Sequence, residues 1–108
     1  MTERDDLVRR FQLAAFVEAA RLLDEGIAGA RDIDWALRAG AGLPLGPLEW
    51  ADREGLARVL EELEGLAARY GERFEPPVSL RRLVRRGMVG EAGGRGYREW
   101  GGASDGGR

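Results

Sequence analysis

A chain of 108 residues, 44% of them hydrophobic and 33% charged, has the size and balance of one soluble globular domain and no room for a second. Cysteine and histidine are absent and all 17 cationic side chains are arginine, which excludes disulfides, thiolate metal ligands, histidine acid–base work and lysine Schiff bases. The net charge of −2 offers no general attraction to nucleic acid or anionic lipid.

The hydroxyls that remain, on Thr2, Ser79, Ser104, Tyr70 and Tyr97, have no histidine or lysine beside them to act as a base, so no catalytic residue is assigned within the chain. No apolar run approaches the roughly 20 residues needed to cross a bilayer. The opening MTERDD lacks the apolar segment of a secretory signal. A cytoplasmic protein is expected.

From Asp5 to Glu25, the residues Leu7, Val8, Phe11, Ala15, Phe16, Ala19, Leu22 and Leu23 recur at steps of three and four, which predicts an amphipathic helix closed by Gly26. Asp5 and Asp6 suit its positive end. A short second helix is expected over 31–39, before Gly40. The stretch AGAGLPLGPLEWAD, residues 39–52, then opens as a Gly-rich turn and sets Pro47 where a third helix would begin.

Beyond Gly55, an apolar stripe of Leu56, Val59, Leu60, Leu63, Ala67 and Tyr70 faces away from Arg58, Glu61, Glu62 and Arg69, predicting a fourth helix that ends near Gly71. Pro76 and Pro77 interrupt the chain, and Ser79 is the expected cap of a fifth helix closed by Gly87. A Gly-rich loop extends from there to residue 100, then a flexible tail over 101–108. Nothing alternates with period two, so no strand is expected.

Arg81, Arg82, Arg85 and Arg86 form a basic patch on the fifth helix that would suit phosphate; a solvated face balanced by Glu72, Glu75 and Glu91 is the favoured reading. Asp32, Asp34, Glu61, Glu62 and Glu64 spread over several faces and read as solvent charge, with no metal site. Trp35, Trp50 and Trp100 read as packing anchors.

Three segments carry a family resemblance: EAARLLDEGIA (18–28), RDIDWALRAGAGLPLGPLEWAD (31–52) and FEPPVSLRRLVRRGMVGEAGGRGY (74–97). Together they resemble the C-terminal domain of 3-hydroxyacyl-CoA dehydrogenases, over about residues 5–100. The most specific part, LPLGPLEWAD, is similar to the family's Pro-Met-Gly-Pro-Leu-Glu-Leu-x-Asp stretch. The resemblance implies an all-α bundle of about five helices, of the 6-phosphogluconate dehydrogenase C-terminal-like kind, occupying residues 1–100. In that family a separate N-terminal domain carries NAD and the catalytic His and Glu, while the helical domain completes the substrate cleft and commonly makes the dimer.

Two departures bear on function. The family's Gly-Phe-x-x-Asn-Arg segment, which supplies an active-site Asn, corresponds to DDLVRR here and puts Arg9 at the Asn position. An amide both donates and accepts, whereas a guanidinium only donates. The family's Gly-x-Lys-Thr-Gly-x-Gly-Phe-Tyr loop reads GEAGGRGYR from Gly90, with Ala92 and Gly93 replacing Lys and Thr.

The resemblance and the missing chemistry together imply a stand-alone, non-catalytic module of fatty acid metabolism: a homodimer, with acyl-CoA as a ligand and NAD reaching it only through a separately encoded NAD-binding domain. The implied substrate-side residues are Arg9 and the turn of Leu43, Leu45, Gly46 and Pro47. A split dehydrogenase and a small helical nucleic-acid binder are the alternatives, the latter disfavoured by the acidic charge.

Overall fold

The computed structural model describes residues 3–101 as five α-helices: α1 (Glu3–Asp24), α2 (Ala30–Ala41), α3 (Pro47–Glu54), α4 (Leu56–Tyr70) and α5 (Val78–Arg85). Tight 3-10 turns occupy Glu72–Phe74 and Glu91–Gly93. Among the described residues there is no strand, only isolated bridges joining Gly90 to Arg95 and Arg95 to Glu99. The all-α expectation therefore holds. From residue 102 onward the expected tail lies outside the described residues.

The element that the others share is α1, which packs against α2, α3, α5 and the turn at Glu72–Phe74. It buries Leu13, Phe16, Val17, Ala19 and Ala20 against Ile33 of α2, Leu48 and Ala51 of α3, Leu56, Val59 and Leu63 of α4, Phe74 and Leu80. The three-and-four spacing thus marks the correct helix but misplaces the start of its buried face. Leu7, Val8 and Phe11, read as part of the core stripe, are 67%, 52% and 58% exposed.

Two buried carboxylates fix the remaining elements. Asp34, on α2, accepts hydrogen bonds from the backbone N–H groups of Leu48 and Glu49, both at 2.8 Å, and so caps the first turn of α3 from a neighbouring helix. Asp52, on α3, accepts from the N–H of Tyr97, the N–H of Arg98 and the indole Nε1 of Trp100, each at 2.9 Å. The stretch after α5 is therefore an ordered arm wrapped around one side chain. Arg98 ties the two acids together: its backbone binds Asp52 while its guanidinium lies 3.6 Å from Asp34.

Two glycines make these contacts sterically feasible. A Cβ on Gly46 would fall 2.3 Å from Cγ of Asp34, and one on Gly96 would fall 2.2 Å from Oδ1 of Asp52. Any side chain would displace the carboxylate from its donors.

Three expectations are corrected. Asp34 is buried rather than solvent charge, because its carboxylate satisfies the exposed amides at the start of α3. Ser79 lies inside α5, which begins at Val78 after Pro77, and does not cap it. Its hydroxyl instead meets the Tyr97 hydroxyl at 2.6 Å, joining α5 to the arm, while Tyr97 stands edge-on to Phe16. Trp35 is 69% exposed and anchors nothing in the core.

Burial pushes the pKa of Asp52 upward, opposed by the Trp100, Tyr97 and Arg98 donors. Asparagine there would offer one oxygen to donors that now use two, leaving a buried N–H unmatched. Asp52→Asn should destabilise the domain by about 1–3 kcal/mol. The check is thermal unfolding together with red-shifted Trp100 emission as the arm detaches; an unchanged midpoint would remove Asp52 as the holding point.

Candidate functional site

Arg9 projects from the second turn of α1 toward the junction of α3 and α4. One terminal nitrogen donates to Glu54 at 2.7 Å and the other to Glu62, closing a bridge across three helices. The guanidinium carbon also lies 5.1 Å from the centroid of the Trp50 ring. Burial alone would lower the Arg9 pKa, but the hydrogen bonds and attraction of Glu62 and Glu54 outweigh it and raise it. Arg9 is thus a fixed, half-buried cation whose two outer nitrogens are already engaged by carboxylates.

The turn after α2 divides into an inward and an outward part. Gly46 and Pro47 are buried. The close approach that Gly46 permits is to Asp34, and Pro47 is the first residue of α3, where its missing N–H costs nothing. Leu43 and Leu45 are partly exposed and line a cavity of about 70 Å³ with Phe11, Ala15, Pro47 and Trp50. That volume suits a few methylenes lying across the surface rather than a whole ligand, for which pockets of roughly 300 Å³ or more are usual. Trp50 joins the two halves of the site, because it lines this cavity and stacks with Arg9.

The apolar surface continues in both directions. Leu43 also belongs to a depression beside Trp35 and Arg38, and Phe11 also borders one formed with Leu7, Ala14 and Phe74. A connected strip therefore runs from Trp35 through Leu43 and Leu45 to Phe11 and Leu7.

The residues that sequence reasoning missed are the partners: Glu54, Glu62 and Trp50 around Arg9, and Asp34 behind Gly46. Spacing could have flagged Asp34, which sits between Ile33 and Leu37 on the apolar side of α2. No periodicity reveals that Glu54 and Glu62 converge on one arginine 45 and 53 residues away. Ala92 and Gly93 fall in the exposed turn at Glu91–Gly93. Of the arginines on α5, Arg81 is bound to Glu64 and Glu75 at 3.0 and 3.4 Å. Among the described residues no group of acids is placed to hold a metal ion, and no helix is long and apolar enough to cross a membrane.

Comparison with known proteins gives a consistent picture. Residues 7–100 match the family described as "3-hydroxyacyl-CoA dehydrogenase, C-terminal domain". A probable 3-hydroxyacyl-CoA dehydrogenase of Caenorhabditis elegans is 41% identical over 93 residues, which are 84% of this chain and 31% of that protein. Among solved structures, the (S)-3-hydroxybutyryl-CoA dehydrogenase of Ralstonia eutropha superposes with a TM-score of 0.80 at 31% identity, covering 85% of this chain and 33% of that one. The 3-hydroxybutyryl-CoA dehydrogenase of Escherichia coli gives 0.79 at 37% identity, over 86% of this chain and 20% of that one. The chain thus spans a third or less of the length of these relatives.

Replacing Arg9 by asparagine would leave Glu54 and Glu62 side by side without their cation. Arg9→Asn should lower stability by about 1 kcal/mol, an effect softened by partial exposure and by added salt. In a double-mutant cycle, adding Glu62→Gln should recover part of that loss. Strict additivity of the two substitutions would show that the bridge carries no coupling.

Proposed function

Because the chain belongs to the family of 3-hydroxyacyl-CoA dehydrogenase C-terminal domains, we propose that it works as a non-catalytic association module on the acyl-CoA side of fatty acid metabolism. The observation that carries this reading is the connected apolar strip of Leu7, Phe11, Leu43, Leu45 and Trp35. Exposed Leu, Phe and Trp side chains held on rigid helices are costly to leave in water, and a contiguous apolar surface of this kind marks an interaction site. A second copy of the chain is the proposed occupant. Domains of this size gain most from such burial, and a two-fold pairing lets one strip cover the other.

The absence of catalysis rests on chemistry. The chain has no histidine or lysine, and Arg9, at the position that resembles the family's Asn, is held by Glu54 and Glu62. A guanidinium has no acceptor to offer a substrate hydroxyl. No cofactor is assigned to the chain by itself. Hydride chemistry would need a strand and Gly-rich turn to hold a dinucleotide, and the described fold is entirely helical.

A second reading has support from the relatives matched, whose names describe dehydrogenases. Here the strip receives an NAD-binding partner, and the groove at Leu43 and Leu45 lends methylene contact to an acyl chain crossing between the two. Both readings use one surface and differ in what covers it.

Sedimentation of the purified chain at micromolar concentration should report a dimer. Phe11→Glu should give a monomer with unchanged helical circular dichroism, and a wild-type monomer across the whole range would refute self-association. Acetoacetyl-CoA-dependent oxidation of NADH by the purified chain should not exceed buffer. Turnover would overturn the non-catalytic assignment, and recovery from the native host bound to an NAD-binding chain would favour the second reading.

A further inference from the structure

Between α1 and α4 lies a groove of about 400 Å³ that shares Arg10 with the depression at Leu7, Phe11 and Phe74 but none of the strip's apolar side chains. Leu13, Gly65, Leu66 and Tyr70 line the groove. Arg9, Arg10 and Arg69 border it, opposed by Asp6 and Glu62. Glu62 is neutralised by Arg9. Arg10 and Arg69 are different, because among the described residues neither has a carboxylate partner.

Both are held in place by the same aromatic ring. Arg10 donates to the Tyr70 hydroxyl at 3.2 Å and its guanidinium carbon sits 4.5 Å from the ring centroid. Arg69 lies 5.4 Å from that centroid. Stacking on a ring face orients a guanidinium while leaving its in-plane N–H groups available, the arrangement that receives an anion edge-on. Two cations lining one groove beside one ring favour a ligand with two negative charges. A single carboxylate supplies one, whereas a phosphate monoester near neutral pH supplies about 1.5 to 2 with three acceptor oxygens.

We propose that this groove binds a small organic phosphate, with the phosphate between Arg10 and Arg69 and an apolar body lying over Leu13 and Leu66. The volume falls within the usual range for small-ligand sites. Asp6, one helical turn before Arg10, opposes the anion, so its removal should act in the opposite sense from loss of either arginine.

Calorimetric titration of the full chain at low ionic strength tests this with three probes: phenyl phosphate, benzoate and inorganic phosphate. Phenyl phosphate should bind about tenfold or more tightly than either of the others, since each lacks one half of the match. Arg10→Gln and Arg69→Gln should each weaken it about fivefold, and Asp6→Asn should strengthen it about twofold. High salt should erase most of the binding. All three positions are on helix surfaces, and unchanged circular dichroism identifies variants that remain folded. Equal binding of benzoate and phenyl phosphate, full binding by either folded arginine variant, weaker binding by Asp6→Asn, or no binding of phenyl phosphate would each overturn the proposal.

Discussion

The domain depends on two carboxylates, Asp34 and Asp52, that lie almost wholly inside it. A buried charge is tolerated only when hydrogen bonds replace the water it gives up. Asp34 finds the open amides of α3, and Asp52 finds the arm from Tyr97 to Trp100. Each contact joins elements that are distant along the chain, so these acids act where a larger protein would add apolar core. Arg98 makes them one network by touching both. Burial pushes both pKa values up, against the hydrogen bonds that lower them.

The network also explains the sequence segments that carry the family resemblance. Gly46 within LPLGPLEWAD makes room for Asp34, Asp52 ends that same stretch, and Gly96 in the later GEAGGRGYR loop makes room for Asp52. The two segments are therefore two faces of one contact. Gly46, Asp52 and Gly96 are required by this packing.

All five helices are legible in the sequence, because apolar spacing and Gly or Pro boundaries are local signals, although α2 runs through Gly40 to Ala41 and closes at Gly42. Pro47 opening α3 and Gly71 following α4 are read directly from such cues. The misreadings share one cause. Ser79 looked like a cap, Asp34 like surface charge and Leu7 with Phe11 like core, since local pattern reports what a helix can do rather than what lies opposite it. Tyr97, the amides of α3 and the end of the neighbouring helices decide those cases, and all are remote in sequence. The candidate site was partly legible for the same reason. The Leu43–Pro47 turn stands out by composition, yet its division into a packing half, Gly46 and Pro47, and a surface half, Leu43 and Leu45, appears only once Asp34 is in place.

Arg9 shows what a charged side chain requires at the junction of α1, α3 and α4. Asparagine is neutral and needs no balancing charge, whereas arginine at the same corner brings a cation that must be matched. Glu54 and Glu62 supply the match, and Trp50 adds a ring face. An amide at this corner is therefore not a single change, since both glutamates would then repel each other at the junction of α3 and α4. The inward residues, Gly46, Asp52 and Gly96, preserve the fold independently of this corner. The Arg9 bridge holds α1, α3 and α4 together, while the buried carboxylates hold α2, α3 and the arm.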